Sequence, residues 1–230
     1  YVTGHAEFCG FDFRVTPDVL IPRQETELLC RHAGEFASRL SRMRSSSGKF
    51  ARPVRILDLC TGSGCIAWSL ALTVPMAEVT GVDISEKALE VARTQPFSNL
   101  VKERGVRPPQ FVLRDVLETA ALDGVAGNSV DLITSNPPYV TESEKRLMSG
   151  NVLDYEPHLA LFVPDDDPLL YYRAVAEWSA RLLSEEGIGF TEINEAFGDG
   201  VSGIFLSAGF RHVDVIPDLS GRPRIVRYSS

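Results

Sequence analysis

Val54-Arg55-Ile56-Leu57-Asp58-Leu59-Cys60-Thr61-Gly62-Ser63-Gly64-Cys65-Ile66-Ala67 decides the fold of this 230-residue chain. The apolar run Val54–Leu59 reads as a strand buried on both faces. The run from Cys65 to Val74 has the length and composition of a helix. Between them the glycines allow a tight turn and a close approach of backbone to ligand. The N–H groups opening the helix would point at that ligand. Gly62, Gly64 and Ala67 also fit the spacing G-x-G-x-x-G/A of dinucleotide-binding turns. By itself the stretch indicates a nucleotide-like cofactor without saying which.

The strand-helix alternation continues outward. Strands are expected at Glu78–Val82, Phe111–Leu113, Val130–Thr134 and Ile188–Ile193, and near Val213 and Ile225. Helices are expected at Glu86–Arg93, Leu169–Leu183 and about Ala196–Ala208. Such alternation predicts an α/β fold, a mainly parallel sheet covered by helices on both faces. Upstream, Ala6–Val15 carries aromatics around Gly10 and reads as a short β-hairpin. Leu28, Leu29, Ala33, Phe36, Ala37 and Leu40 have helical spacing over Glu25–Leu40. A Ser-rich stretch with Arg39, Arg42, Arg44, Lys49, Arg52 and Arg55 follows, and its composition predicts a solvated linker.

Bulk properties narrow the function. Hydrophobic residues make up 44% and charged residues 23%, an ordinary globular balance. The net charge of -8 argues against a nucleic-acid partner, which would favour an excess of Lys and Arg. No apolar run reaches the ~18 residues of a membrane span. The four cysteines form no C-x-x-C and the four histidines are scattered, so neither disulfides nor a metal site is expected. A reducing compartment follows.

Three acceptor groups fall where expected strands end. Asp83 follows the second strand and can take both ribose hydroxyls of a nucleoside; the competing reading, an N-cap for the next helix, suits Ser85 better. Asp115 follows the third and can meet an adenine amino group with Val116 packed on the ring; a plain turn residue is the competing reading. Asn136-Pro137-Pro138-Tyr139 follows the fourth. Prolines fix φ and remove N–H donors, so this loop offers acceptors. Asn136 adds a side-chain oxygen, and two adjacent acceptors match the two hydrogens of an –NH2 group. Tyr139 offers a flat face to a planar substrate or to a sulfonium cation. A methyltransferase acting on an amide or exocyclic amine needs this arrangement. A nicotinamide dehydrogenase shares only the glycine turn, and a binding module without activity has no use for Asn136.

The chain resembles the PrmC/HemK family, the protein-(glutamine-N5) methyltransferases of peptide chain release factors. Tyr1–Phe8 is similar to the family's Y-x-x-G-x-x-x-F start and Leu20–Glu27 to its L-I-P-R-P-E-T-E segment. Asp58–Gly64 resembles D-L-G-T-G-T-G, and Asn136–Tyr139 is the N-P-P-Y itself. Tyr155-Glu156-Pro157 with Ala160-Leu161 resembles Y-E-P-x-x-A-L, and Asp218–Arg224 resembles D-x-x-G-x-x-R. Gln24 replaces a common Pro, and Cys60 a common Gly.

The resemblance implies a Rossmann-like class I methyltransferase sheet. Residues 21–230 would form the catalytic domain. Residues 1–20 would form a hairpin and linker to a family N-terminal domain that recognises the release factor. Cys60, Thr61, Gly62, Ser63 and Gly64 would bind S-adenosylmethionine, with Asp83 on its ribose and Asp115 and Val116 on its adenine. Asn136, Pro137, Pro138 and Tyr139 would hold the substrate glutamine. Asn136 would also border the cofactor, and Asn136, Pro137 and Tyr139 would carry the chemistry. The implied reaction methylates the side-chain amide of the Gly-Gly-Gln glutamine of a release factor, in support of translation termination, and leaves S-adenosylhomocysteine. No catalytic role is assigned to Arg23 or to Glu156; for each, an ion-pair or loop-anchoring role is expected. A DNA or RNA amino-methyltransferase using the same Asn136–Tyr139 is the rival. The expected enzyme is a monomer whose partner is the release factor, without stable nucleic-acid or membrane binding. It would sit in the cytoplasm if bacterial and in the mitochondrial matrix if eukaryotic, the latter suggested by the Ser-rich insertion.

Overall fold

The structure is a computed structural model that describes residues 3–46, 52–118, 127–147 and 155–230. The hairpin is β1 (His5–Phe8) and β2 (Phe11–Arg14). Helix α1 (Gln24–Ser46) leads to β3 (Val54–Leu59), α2 (Cys65–Thr73) and β4 (Ala77–Asp83). Then come α3 (Glu86–Arg93), α4 (Ser98–Arg104), β5 (Gln110–Leu113) and β6 (Val130–Ser135). Two-residue strands β7 (Val140–Thr141) and β8 (Phe162–Val163) pair with each other. The chain closes with α5 (Leu170–Leu182), β9 (Leu183–Glu192), α6 (Gly198–Ser207), β10 (His212–Pro217) and β11 (Pro223–Ser229).

The seven-stranded sheet has the order β10-β11-β9-β6-β3-β4-β5. β9, β6, β3, β4 and β5 run parallel, while β11 is antiparallel to β9 and β10 to β11. The chain leaves β3 for β4 and β5 on one side, then returns to β6 on the other. Beside β3 the strand order therefore reverses, which opens a crevice at the carboxyl ends of β3 and β6.

Alternate residues of the central strands feed two cores. Ile56, Leu132, Phe190 and Ile225 join the hairpin, α1 and α2 around Phe8, Phe13, Leu29, Trp68 and Phe97. Leu57, Leu59, Ile133 and Val226 join α5 and α6 around Tyr172, Trp178 and Phe205. Burial on both faces explains why these strands read as near-continuous apolar runs.

The basic stretch is corrected by the structure. Helix α1 runs through Ser45 and Ser46 instead of ending at Leu40. Its buried stripe Thr26, Leu29, Cys30, Ala33, Ala37, Ser41 is continued one turn on by Arg44. Arg44 reaches Asp131 with Nη2–Oδ1 2.7 Å and Nη1–Oδ2 2.8 Å, and Arg52 adds Nη2–Oδ1 2.8 Å. The Arg55 amide donates to Oδ2 at 2.9 Å. Burial alone would raise the Asp131 carboxyl; the Arg44 and Arg55 donors with the Arg44 and Arg52 charges bring it below the usual carboxylate range. Part of the expected linker is thus a clamp on the start of β6, while residues 47–51 lie outside the described residues.

Asp131→Ala leaves Arg44, whose side chain is 15% exposed, without its counter-charge. The expected loss is ~2–3 kcal/mol, less than for a fully buried pair because Arg52 is half solvated. Calorimetry should show the melting midpoint lowered by roughly 5–10 °C; an unmoved midpoint would deny the clamp a role in stability.

Candidate functional site

Each expected acceptor sits just past the carboxyl end of a parallel strand. Cys60 follows β3, Asp83 ends β4, Asp115 lies two residues after β5 and Asn136 follows β6. Neighbouring parallel strands therefore bring together groups far apart in sequence. They line one open-sided cavity of about 200 Å³ with Cys60–Ser63, Asp83, Asp115, Val116, Asn136 and Pro138 on its walls.

The glycine turn is held from below by Asp58. This fully buried carboxyl accepts from Thr61 Oγ1 at 2.5 Å, from Thr134 Oγ1 at 2.8 Å and from the Ala67 amide. Burial pushes it up to about 7 in spite of those donors. One of the α2 N–H groups expected to face a ligand is thus used inside the protein. Cys60 has φ 59°, the left-handed region in which the family pattern places glycine; a side chain there costs ~1–2 kcal/mol of backbone strain. Gly64 has φ 77°, a conformation strained for any other residue, and a Cβ there would crowd Phe111, Ala92 and Trp68 at 3.0–3.1 Å.

Asp83 receives the Gly62 amide on Oδ2 at 2.8 Å and the Ser85 amide on Oδ1 at 2.9 Å. It ties the glycine turn to the β4 end and still faces the cavity. Burial raises its carboxyl above the usual range, and the Ser85, Gly62 and Ile84 amides partly oppose the rise. Ser85 caps α3, accepting from the Ala88 amide at 3.2 Å. Asp115 Oδ1 accepts from the Leu117 amide at 2.9 Å in the local turn that was its competing reading, and the residue also lines the cavity. Val116 is 4% exposed, and its carbonyl accepts from Trp178 Nε1 at 2.9 Å.

The loop after β6 is fastened at both ends. Ser135 Oγ donates to the Leu59 carbonyl at 3.0 Å, and Asn194 Nδ2 to the Tyr139 carbonyl at 3.3 Å. Asn136 Nδ2 donates to Thr26 Oγ1 at 3.1 Å. Pro137 and Tyr139 differ from the sequence expectation in placement. Neither lines the cavity, and the Tyr139 hydroxyl donates to Glu192 Oε1 at 3.0 Å, with the ring against the α5–α6 core. That buried carboxylate holds the tyrosine away from the cavity.

Several lining residues carried no site assignment from the sequence. Val19, Leu20, Pro22 and Arg23 come from the segment joining the hairpin to α1, Thr26 from the first turn of α1, and Pro157, Leu159 and Ala160 from the segment before β8. Arg23 Nη2 joins the two segments, 2.7 and 2.8 Å from the Glu156 oxygens, so the two residues anchor each other. The resemblance flagged both stretches, but nothing local says that they meet. Tyr171 lines the cavity while its neighbour Tyr172 is buried and accepts from the Asn194 amide. Two adjacent tyrosines on a helix give no sequence signal for which one faces a ligand.

Comparison with known proteins identifies the family. Residues 52–164 match the family model described as a methyltransferase domain. The release factor glutamine methyltransferase of Bacteroides thetaiotaomicron is 45% identical over 226 residues, covering 98% of this chain and 73% of that protein. The one from Chlorobaculum tepidum is 40% identical over 220 residues, covering 95% and 69%. Among solved structures, the hMettl16 catalytic domain in complex with MAT2A 3'UTR hairpin 6 superposes with a TM-score of 0.65 at 11% identity, over 94% of this chain and 74% of that one. At that identity the likeness concerns the fold, which is the class I methyltransferase architecture. Near-full-length identity to such relatives settles the family: the chain belongs to the release factor glutamine methyltransferases.

Proposed function

We propose that this protein transfers the methyl group of S-adenosylmethionine to the side-chain amide nitrogen of a release factor glutamine. One observation carries the reading. A single cavity is lined by the glycine turn, Asp83, Asp115 and Val116 together with Asn136 and Pro138. The donor set fits the cofactor: carboxylates for ribose hydroxyls and an adenine amino group, and an apolar residue for the ring. Bound there, S-adenosylmethionine supplies an electrophilic methyl on a sulfonium.

The protein's own contribution is placement and electrostatics. An amide nitrogen is a poor nucleophile because its lone pair is delocalised. Asn136 Oδ1 and a proline-loop carbonyl would accept both N–H hydrogens, return density to nitrogen and fix its line of approach. Such positioning can supply up to ~7–11 kcal/mol in ideal cases, and acceptors aimed at growing positive charge add to it. The proton leaves after transfer, so no strong base is required. Pro137 and Tyr139 would act by shaping the loop.

A labelled methyl-transfer assay on release factors, with the site mapped by mass spectrometry, tests the reading. Label on the Gly-Gly-Gln glutamine is expected. Label on nucleic acid instead, or on another side chain, would replace the reading with its rival. Asp83→Ala should weaken S-adenosylmethionine binding roughly ten- to hundred-fold, since a charge-assisted hydrogen bond contributes ~1.5–3 kcal/mol. Calorimetry with unchanged affinity would place the ribose elsewhere.

The bacterial origin of the relatives points to a cytoplasmic enzyme, and nothing in them supports the mitochondrial branch. Among the described residues no helix is long and apolar enough to cross a membrane. The acidic net charge favours a monomer with a protein partner over one that holds nucleic acid.

A further inference from the structure

We infer that Thr26 and Glu192 are positioning residues that dictate which end of the Asn136 amide faces the cavity. The inference rests on the proposed role of Asn136 as an acceptor for the substrate amide, and it adds what makes Asn136 an acceptor there. The two ends of an asparagine amide have nearly the same shape, so its orientation must come from its partners. Shape alone would let Asn136 present an N–H to the cavity and repel the amino group it is meant to hold.

The partners leave one choice. Glu192, at the end of β9, is 1% exposed, and both of its oxygens are occupied. Oε2 accepts from Thr26 Oγ1 at 2.7 Å and Oε1 from the Tyr139 hydroxyl at 3.0 Å. Burial and the adjoining Glu192 charge keep the Tyr139 phenol protonated, so that hydroxyl has a proton to donate. Thr26 is itself 2% exposed. A hydroxyl carries one hydrogen, and Thr26 has committed it to the carboxylate. Only lone pairs remain on Oγ1, so the Asn136 group 3.1 Å away must be the donor Nδ2. Oδ1 is the end left for the cavity, which both Asn136 and Thr26 line.

Turning the amide over would set Oδ1 against the Thr26 lone pairs, or make Thr26 take its hydrogen from a buried carboxylate. Both are costly where water cannot substitute. The Arg224 guanidinium supplies a compensating charge for Glu192. The relay spans the fold: Thr26 is 166 positions from Glu192 and 110 from Asn136.

The test compares Thr26→Val, Thr26→Ser, Glu192→Gln and Asn136→Ala on a whole release factor. Thr26→Val keeps the branched shape and removes the hydroxyl. Its kcat should fall ~10–100-fold, the scale of a misplaced reacting group. KM and cofactor affinity by calorimetry should stay near the parent values, while the melting midpoint falls because the buried Glu192 carboxylate loses a donor. Thr26→Ser should restore most of the rate lost in Thr26→Val. Glu192→Gln brings an N–H into the relay, frees the Thr26 hydrogen and should lower kcat similarly. In Thr26→Val/Asn136→Ala the rate should match Asn136→Ala alone, because Thr26 acts through Asn136. A multiplicative further loss would overturn the inference, and so would a Thr26→Val loss of rate that tracks cofactor affinity. If Asn136→Ala is inactive and Thr26→Val is not impaired, the relay fails while the acceptor role stands. If Asn136→Ala itself retains its rate, the proposed function of the site fails first.

Discussion

Asn136→Ala should lower turnover ~10²–10³-fold, the usual consequence of losing one hydrogen bond aimed at transition-state charge. Cofactor affinity should stay within a few-fold, because the glycine turn, Asp83 and Asp115 belong to other strand ends. Positive charge grows on the glutamine nitrogen as the methyl arrives, so an acceptor at Asn136 gains strength during the step. Such an interaction is felt in kcat and in kcat/KM alike. Single-turnover methyl transfer with saturating release factor isolates this effect from binding. A variant within a few-fold of the parent rate would mean that the amide is held by other acceptors. The truncation also frees Thr26, whose hydroxyl keeps its bond to Glu192, so the core should survive.

The stability of the protein should decline as pH rises from about 4 to about 7, in large part through Asp58. Its carboxyl stands near 7 in the folded state because burial disfavours the charged form. In the unfolded chain it returns to ~3.9. The folded state therefore binds the extra proton between those values. The stabilisation is complete below the unfolded pKa and is lost as pH rises through the folded one. Three units correspond to ~4 kcal/mol as an upper bound. Asp83 and Glu192 are shifted in the same direction and add slope of the same sign. Asp58→Asn isolates the Asp58 share. The amide cannot ionise, and the Thr61 and Thr134 hydroxyls can turn to suit it. Plotted against pH, the stability difference between variant and parent should move in favour of asparagine by several kcal/mol between pH 4 and pH 8. Parallel curves would show that Asp58 is charged throughout.

The sheet was legible because its signals are local. Val54–Leu59 and Glu86–Arg93 were bounded correctly from pattern alone, and most other sheet strands and helices within a few residues. Two-face burial writes apolar runs, and a parallel sheet must separate them with helices. The short pieces were missed for the opposite reason. α4 (Ser98–Arg104) has no buried residue to show its period, and β7–β8 is two residues on each side. α6 begins only at Gly198, after a single 3-10 turn over Glu195–Phe197.

The site divides along the same line. The glycine turn, Asp83, Asp115 and Asn136 could be read because each stands at or within two residues of the end of an apolar strand, and parallel strands deliver their ends to one crevice. By itself the sequence determined the sheet, the ends of its strands and the acceptors set there. Only the tertiary structure decided what stands behind those acceptors. It turned Arg44 and Arg52 from presumed linker charges into partners of Asp131, and it drew Tyr139 off the cavity onto Glu192. It also brought Thr26 to Asn136 and Arg23 to Glu156 across 110 and 133 positions. The physical reason is that periodicity reports whether a residue faces the core, whereas a buried polar group is settled by whichever distant donor or acceptor folding delivers to satisfy it.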